Sequence, residues 1–424
     1  MAKEIERDEQ GRPLYGVSVQ IAALLVITMQ YVQSFVTPAL STVKGAYAGI
    51  GVSDTMIANI QGIPSLMAIF GAILVGVLER YMKKKTILII ALVLMFAGSL
   101  AGLCPETEMG FYLLLASRVM LGLGRGMIFP MASSFIADLF FGKRQARLMS
   151  WKTAVGGLSG SLFQIIGGLL AVMSWRYAFI GMLMWVPVAI LCVAWLKEPE
   201  VAKAGGVDES GKKGNALKSI TPFAWAMFVI FGIWNIFQFV YITNTSLLVK
   251  AYGLGESDIA GYIMSLETAM SAVAALAYPL WRGRVGGFDM AIAILLEAIG
   301  YTIIVTSGTN PTMFIVGTVF YGFGFGTFNP VLILQLVHVL PKEGATLGLS
   351  LLAAAQNFCQ FLSANILAVI NPLFGLETSA AGKFTTAMYG AWFYVVVIAL
   401  IIIVLRMKAP NKLATLNIKK ADAE

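Results

Sequence analysis

Stretches of about 20 mostly apolar residues follow one another along this chain, divided by short segments that hold its charges and turn residues. A helix needs that length to cross the hydrocarbon layer of a bilayer, and a composition of 58% hydrophobic and 12% charged residues does not fit a soluble globular protein. The pattern predicts an all-α membrane protein with twelve transmembrane helices. The spans fall at roughly 16–42, 54–78, 86–104, 110–139, 150–172, 176–196, 222–249, 257–280, 289–307, 311–339, 346–371 and 384–406. The first sixteen residues are charged, and the apolar run behind them is too long for a signal-peptide core, so no cleavable leader is expected.

Orientation follows from the cations. Of the 30 Lys and Arg, 24 lie in the two tails and in the connections after even-numbered spans, which predicts cytoplasmic termini. The net charge of +8 is thus a topology signal and implies no nucleic-acid partner. Residues 197–221, with Gly205, Gly206, Asp208, Glu209, Lys212 and Lys213, read as a flexible cytoplasmic linker. The expected organisation is a tail (1–15), a six-helix bundle (16–196), the linker, a second six-helix bundle (222–406) and a tail (407–424). Short connections without an external domain suggest a bacterial inner membrane, and a monomer is expected.

The halves carry a repeat. Gly122-x-Gly124-x-Gly126-x-x-x-Pro130 returns 200 residues later as Gly322-x-Gly324-x-Gly326-x-x-x-Pro330. Arg125 in the first copy corresponds to Phe325 in the second, and Arg118 to Thr318. The glycines permit close helix approach, and each proline removes one backbone bond, which allows either tight packing or a kink.

Arg118 and Arg125 are seven apart, on one face of a helix and about 10 Å from each other along its axis. Neither loses its proton, so each must meet water, an acid or an anion. Guanidinium forks suit a carboxylate, sulfonate or phosphate, which makes both arginines candidates for binding an anionic substrate. Packing or ties to neighbouring backbone are the alternative reading of both.

Glu267 and Glu297 lie inside predicted spans and are candidates for carrying a coupled proton. The other candidate contacts for a substrate are Gln30, Tyr31, Gln33 and Ser34 in the first span, Gln164 in the fifth, and Asn235, Gln238 and Tyr241 in the seventh. Asn329 in the tenth and Gln356, Asn357 and Gln360 in the eleventh complete the set. Three cysteines in separate spans or at their ends give no disulfide framework, and a single histidine gives no metal site. The lack of a phosphate loop or a Ser/His/Asp cluster argues against an enzyme or an ATP-driven pump, and no cofactor is expected. A gradient must then supply the energy for any uphill movement.

These residues resemble the major facilitator superfamily of secondary transporters. The resemblance rests on Trp175-Arg176-Tyr177-Ala178-Phe179, on Arg118-x-x-x-Gly122-x-Gly124-x-Gly126, and on Glu79-Arg80-Tyr81-Met82-Lys83-Lys84. The last is similar to the family's loop signature Asp-Arg-x-Gly-Arg-Arg, with Met82 in place of its glycine; Gly283-Arg284-Val285-Gly286 echoes it without the acid. The family implies two pseudosymmetric bundles that rock about a central site. On the cytoplasmic face, Glu79 and Arg80 are expected to pair with Asp138 and Arg144 as a latch that holds the outward-open state; His338 replaces Asp138 in the second copy.

The fourth span is most similar to the anion:cation symporter branch, whose pattern is Arg-x-x-x-Gly-x-Gly-Glu-Gly-x-x-x-Pro. Here the glutamate of that pattern is Arg125, and the branch's arginine in the first span aligns with Gln30. Drug/proton antiporters place Gly-Pro where this chain has Phe163-Gln164, ahead of Gly167-Gly168. The expected function is therefore transport of a small organic anion, coupled to protons, within the lipid bilayer. Export of amphipathic or drug-like compounds by proton antiport is the alternative, and a non-transporting sensor is an alternative of another class.

Overall fold

In lipid a chain must satisfy its backbone groups internally, and a helix does so within itself. The computed structural model describes residues 15–198, 222–282, 285, 288–339 and 345–408, and among them there is no strand. The helices are α1 (Val17–Gln30), α2 (Leu40–Ala46), α3 (Asp54–Leu78), α4 (Lys84–Ser99), α5 (Glu108–Leu139), α6 (Gly142–Met173), α7 (Trp175–Gly181), α8 (Trp185–Trp195), α9 (Pro222–Ala251), α10 (Ser257–Trp281), α11 (Asp289–Ser307), α12 (Pro311–Val339), α13 (Ala345–Leu373) and α14 (Ala380–Lys408). Eleven spans are long and apolar enough to cross a bilayer, α7 and α8 forming one of them. The pair Val17–Gln30 and Val32–Ala46, bent by 47°, makes a twelfth if it is taken as one span. The tails, the linker from residue 199 onward, most of the Gly283–Gly286 echo and the side chain of His338 lie outside the described residues.

The chain divides into two compact units, Met1–Val52 with Asn59–Gly211, and Ser53–Ala58 with Lys212–Glu424. Each is built around its copy of the glycine repeat. Residues two apart on a helix point about 200° from each other, so the outer and middle glycines face different neighbours. In the first unit Gly122 and Gly126 press α5 onto α3, where a Cβ on Gly126 would stand 2.2 Å from the Ala68 carbonyl oxygen. Gly124 presses the opposite side onto α4, where a Cβ would stand 2.6 Å from the Ala91 carbonyl oxygen. The second unit repeats the design. Gly322 and Gly326 meet Glu267 and Ser271 of α10, while Gly324 meets Ala293 and Glu297 of α11. Both helices run on through Pro130 and Pro330, and the glycines are used for close packing.

Two spans differ from the sequence expectation. The first bends at Tyr31 and continues through short 3-10 turns, Val32–Phe35 and Thr37–Ala39, where Pro38 offers no amide hydrogen. Gly167 makes room there, since a Cβ on it would lie 2.1 Å from the Phe35 carbonyl oxygen. The fifth begins at Gly142, whose φ of +56° suits glycine, rather than near residue 150. Good helix formers carry α6 beyond its apolar stretch, so Lys143, Arg144, Arg147 and Lys152 lie on the helix itself.

The Trp175–Phe179 motif has a packing role. Arg176 donates to the Gly102 carbonyl at 3.1 Å and to Glu106 Oε1 at 3.3 Å, and Trp175 Nε1 donates to the same carboxylate at 2.9 Å. These bonds tie the start of α7 to the connection between α4 and α5. Tyr47 closes the group by donating to the Pro105 carbonyl at 3.0 Å. Burial, with the neighbouring Cys104 and Glu106 opposed by Arg176, pushes its phenol up to about 12.

Candidate functional site

In the first unit the polar residues gather at the bend of the first span. Arg125 of α5 donates through Nη1 to Gln33 Oε1, and Gln33 Nε2 donates to Gln61 Oε1 on α3. Gln61 Nε2 in turn donates to Thr37 Oγ1 at 3.0 Å, which fixes the direction in which each amide points. The ring of Tyr31 lies against α6 over Gly156 and Gly160, where a Cβ would stand 2.7 and 3.0 Å from its carbons. Tyr31 is within electrostatic reach of Arg125. Arg125 Nε is buried without a hydrogen-bond partner, and so is Gln30 Oε1. Among the described residues no carboxylate pairs with Arg125. Ser34 is half-buried on the same turn, and Gln164 is buried further along α6.

Arg118 is not brought to this cluster. It is fully buried, donates to the Gly98 carbonyl at 2.5 Å and to Ser117 Oγ at 3.3 Å, and lies 4.8 Å over the Phe179 ring. These contacts join α5 to α4 and α7, in line with the alternative reading that Arg118 ties its helix to neighbouring backbone. The physical reason is the close approach at Gly98, where a Cβ would stand 2.6 Å from Leu121 and where the carbonyl comes within reach of the guanidinium.

In the second unit the acids lie beneath the glycine repeat. Glu297 is fully buried, and Gln238 Nε2 of α9 donates to its two oxygens at 2.8 and 3.0 Å. Glu267 is buried near enough for its charge to act on Glu297, and it accepts from Thr268 Oγ1 at 3.2 Å. Among the described residues neither acid has a cationic partner. Tyr321 donates to the Gln238 carbonyl at 2.9 Å and Tyr301 to the adjacent Phe237 carbonyl at 2.8 Å, which holds that stretch of α9 in place. Tyr241 donates to Thr318 Oγ1 at 3.3 Å and stacks on Tyr321 at 4.3 Å, and Tyr321 stacks on Phe325 at 6.1 Å. The position that holds a cation in the first unit thus ends an aromatic ladder in the second.

The remaining amides are dispersed. Asn235 Nδ2 donates to the Phe231 carbonyl at 2.9 Å, and Gln360 reaches Asn235 Oδ1 at 3.5 Å. Asn357 bonds within its own helix, to the Ala353 carbonyl at 2.9 Å. Asn329 and Gln356 are half-buried.

The expected latch is rearranged. Asp138 pairs with Lys84 Nζ, which also receives Ser134 Oγ as an acceptor and lies 3.6 Å from Glu79. Two acids repel, and Lys84 stands between them; Arg80 and Arg144 form no ion pair among the described residues. Glu198 accepts from the Lys84 and Lys85 backbone amides at 2.8 and 3.0 Å, capping the start of α4. Sequence reasoning missed Lys84, Gln61, Tyr301 and Tyr321. An amide inside an apolar span was the signal for Gln61; Lys84 stood in the loop-signature match, at the position of its final arginine, without a partner assigned.

Spans of this number, with a core of buried polar groups in each unit, define a polytopic membrane protein. The chain belongs to the Major Facilitator Superfamily, whose family model matches residues 21–364. An "MFS-type transporter" of Aspergillus terreus is 30% identical over 105 residues, 24% of this chain and 18% of that protein. Multidrug resistance protein MdtL of Escherichia coli O157:H7 is 24% identical over 218 residues, 50% of this chain and 55% of that protein. The chain thus spans little more than half, or less, of the curated relatives it matches. The fold is similar to that of the nucleoside transporter NupG, with a TM-score of 0.69, 14% identity and coverage of 91% of this chain and 98% of that one. The xylose transporter XylE from E. coli, inward open, gives 0.64 and 17% identity, with coverage of 88% and 94%.

Proposed function

We propose that this transporter moves a small organic anion, carboxylate-like in its charged group, coupled to protons by alternating access. Arg125 carries the reading. A buried guanidinium keeps its charge, and here it has an amide acceptor, a buried Nε without a partner and no paired acid among the described residues. A carboxylate accepts two parallel bonds from such a fork. Gln33 aims the guanidinium, and Tyr31 lies within its electrostatic reach on the first span. We assign the proton to Glu267 because both oxygens of Glu297 are already engaged by Gln238. The distribution of Lys and Arg supports cytoplasmic termini, as in a bacterial inner membrane.

Proton-driven export of amphipathic compounds is the second reading. It is favoured by the Tyr241–Tyr321–Phe325 ladder and by the likeness to a multidrug resistance protein. A thermal-shift screen against carboxylates and lipophilic cations separates the two. Carboxylates are expected to stabilise the wild type and not Arg125→Gln; stabilisation by cations alone would sink the anion reading.

A further inference from the structure

Arg125 has a companion that the sequence hides among its loop charges. Lys152 lies in the third turn of α6, half-buried, and its ammonium turns toward α5, where Nζ donates to Ser133 Oγ at 2.6 Å. The same nitrogen lies 5.9 Å from the centre of the Phe129 ring. No carboxylate pairs with Lys152 among the described residues.

The spacing along α5 links the two cations. Arg125, Phe129 and Ser133 recur at intervals of four residues and so lie in one column on the helix. Eight residues of helix rise separate Arg125 from Ser133 by about 12 Å. Phe129, between them, is 53% exposed. A lysine ammonium has three donors, and Ser133 takes one, which leaves capacity for an oxyanion. Its amine is directed at the neighbouring helix, where Ser133 holds it.

We propose that Lys152, with the Ser133 hydroxyl, forms a second station for the carboxylate of an organic anion, about two turns of α5 from Arg125. The exposed Phe129 ring offers a surface for the anion's apolar body between the stations. This rests on the anionic substrate proposed above. An oxyanion at Lys152 has two sources, the transported carboxylate and a phospholipid headgroup, and the experiment separates them.

Benzoate and succinate are titrated onto the full chain in nanodiscs of phosphatidylcholine alone and of phosphatidylcholine with phosphatidylglycerol. Lys152→Gln is expected to weaken benzoate binding by about tenfold or more in both lipids, in keeping with the loss of a charge-assisted hydrogen bond. Lys152→Arg should stay near wild type, and Ser133→Ala should shift binding in the same direction by a smaller factor. If Lys152→Gln does not fold, that last pair decides: wild-type affinity in Ser133→Ala overturns the proposal. So does unchanged benzoate affinity in a folded Lys152→Gln, or an effect confined to phosphatidylglycerol, which makes Lys152 a headgroup ligand. Wild-type protein that binds neither carboxylate in either lipid defeats the anion reading itself. Wild-type binding lost in Arg125→Gln but intact in Lys152→Gln defeats only the second station.

Discussion

Gln238 Nε2 stands between the two carboxylate oxygens of Glu297, 2.8 Å from one and 3.0 Å from the other. Glu297 therefore already has its partner, whereas Glu267 meets only the hydroxyl of its own neighbour in sequence among the contacts described above. Glu297→Gln leaves Gln238 one acceptor oxygen and sets an amide NH2 against its donor in place of the other, and should lower stability by about 1–3 kcal/mol, read as a fall in Tm. Proton-driven accumulation in vesicles should survive that change. In Glu267→Gln accumulation should vanish while counterflow exchange persists; full accumulation there would remove Glu267 from the coupling step.

The glycine repeat predicts sharply unequal tolerance. A Cβ on Gly126 would stand 2.2 Å from a backbone oxygen of α3, whereas one on Gly157 meets nothing within 4 Å. Gly126→Val should cost at least about 1–3 kcal/mol by overpacking, and in membrane extracts most of it should aggregate. Gly157→Ala should express and melt like wild type. Size-exclusion profiles and thermal melts compare the two directly.

Arg118 should matter for folding alone. Arg118→Met deprives the buried Gly98 carbonyl of its donor, at a cost of about 1–3 kcal/mol. The melting temperature should drop, and carboxylate affinity in the folded fraction should remain. A variant that melts like wild type and loses affinity would return Arg118 to the binding site.

Cys104 lies just beyond the span Lys84–Leu103, where burial raises its thiol above the ordinary range, opposed by Arg118 and Arg176. The thiolate is the reacting form, so maleimide labelling near neutral pH should be slow and should keep rising above the pH at which a free thiol levels off. Arg176→Gln removes a cation that favours the thiolate, and should slow labelling further at any fixed pH. The rates are read in a background with Cys192 and Cys359 replaced by serine.

The spans were legible because apolar length is written along a single dimension, and bilayer thickness turns it into an element count. The glycine repeat was legible as a pattern, and its purpose was not: alternate glycines had to be placed against two different neighbours before their spacing made sense. Arg118 and Arg125 illustrate what sequence leaves open. They share a helix face, yet one reaches a backbone carbonyl on α4 and the other an amide of the first span. Which acceptor lies within reach depends on how tightly Gly98 meets Leu121, a property of two helices together. The partner of Lys84 escaped notice for a similar reason, since the family signature drew attention to Glu79 and Arg80 while the ion pair formed one turn later.

The interlocked glycines leave the residue at their centre unusually free. Backbone on both sides of it is held by close contacts at the glycines, with α3 and α4 around residue 125 and with α10 and α11 around residue 325. The packing at this position is thus supplied by the glycines around it, while the side chain it carries is a guanidinium in one unit and a phenyl ring in the other. For protein engineers the same property makes Arg125 and Phe325 the natural pair to randomise together.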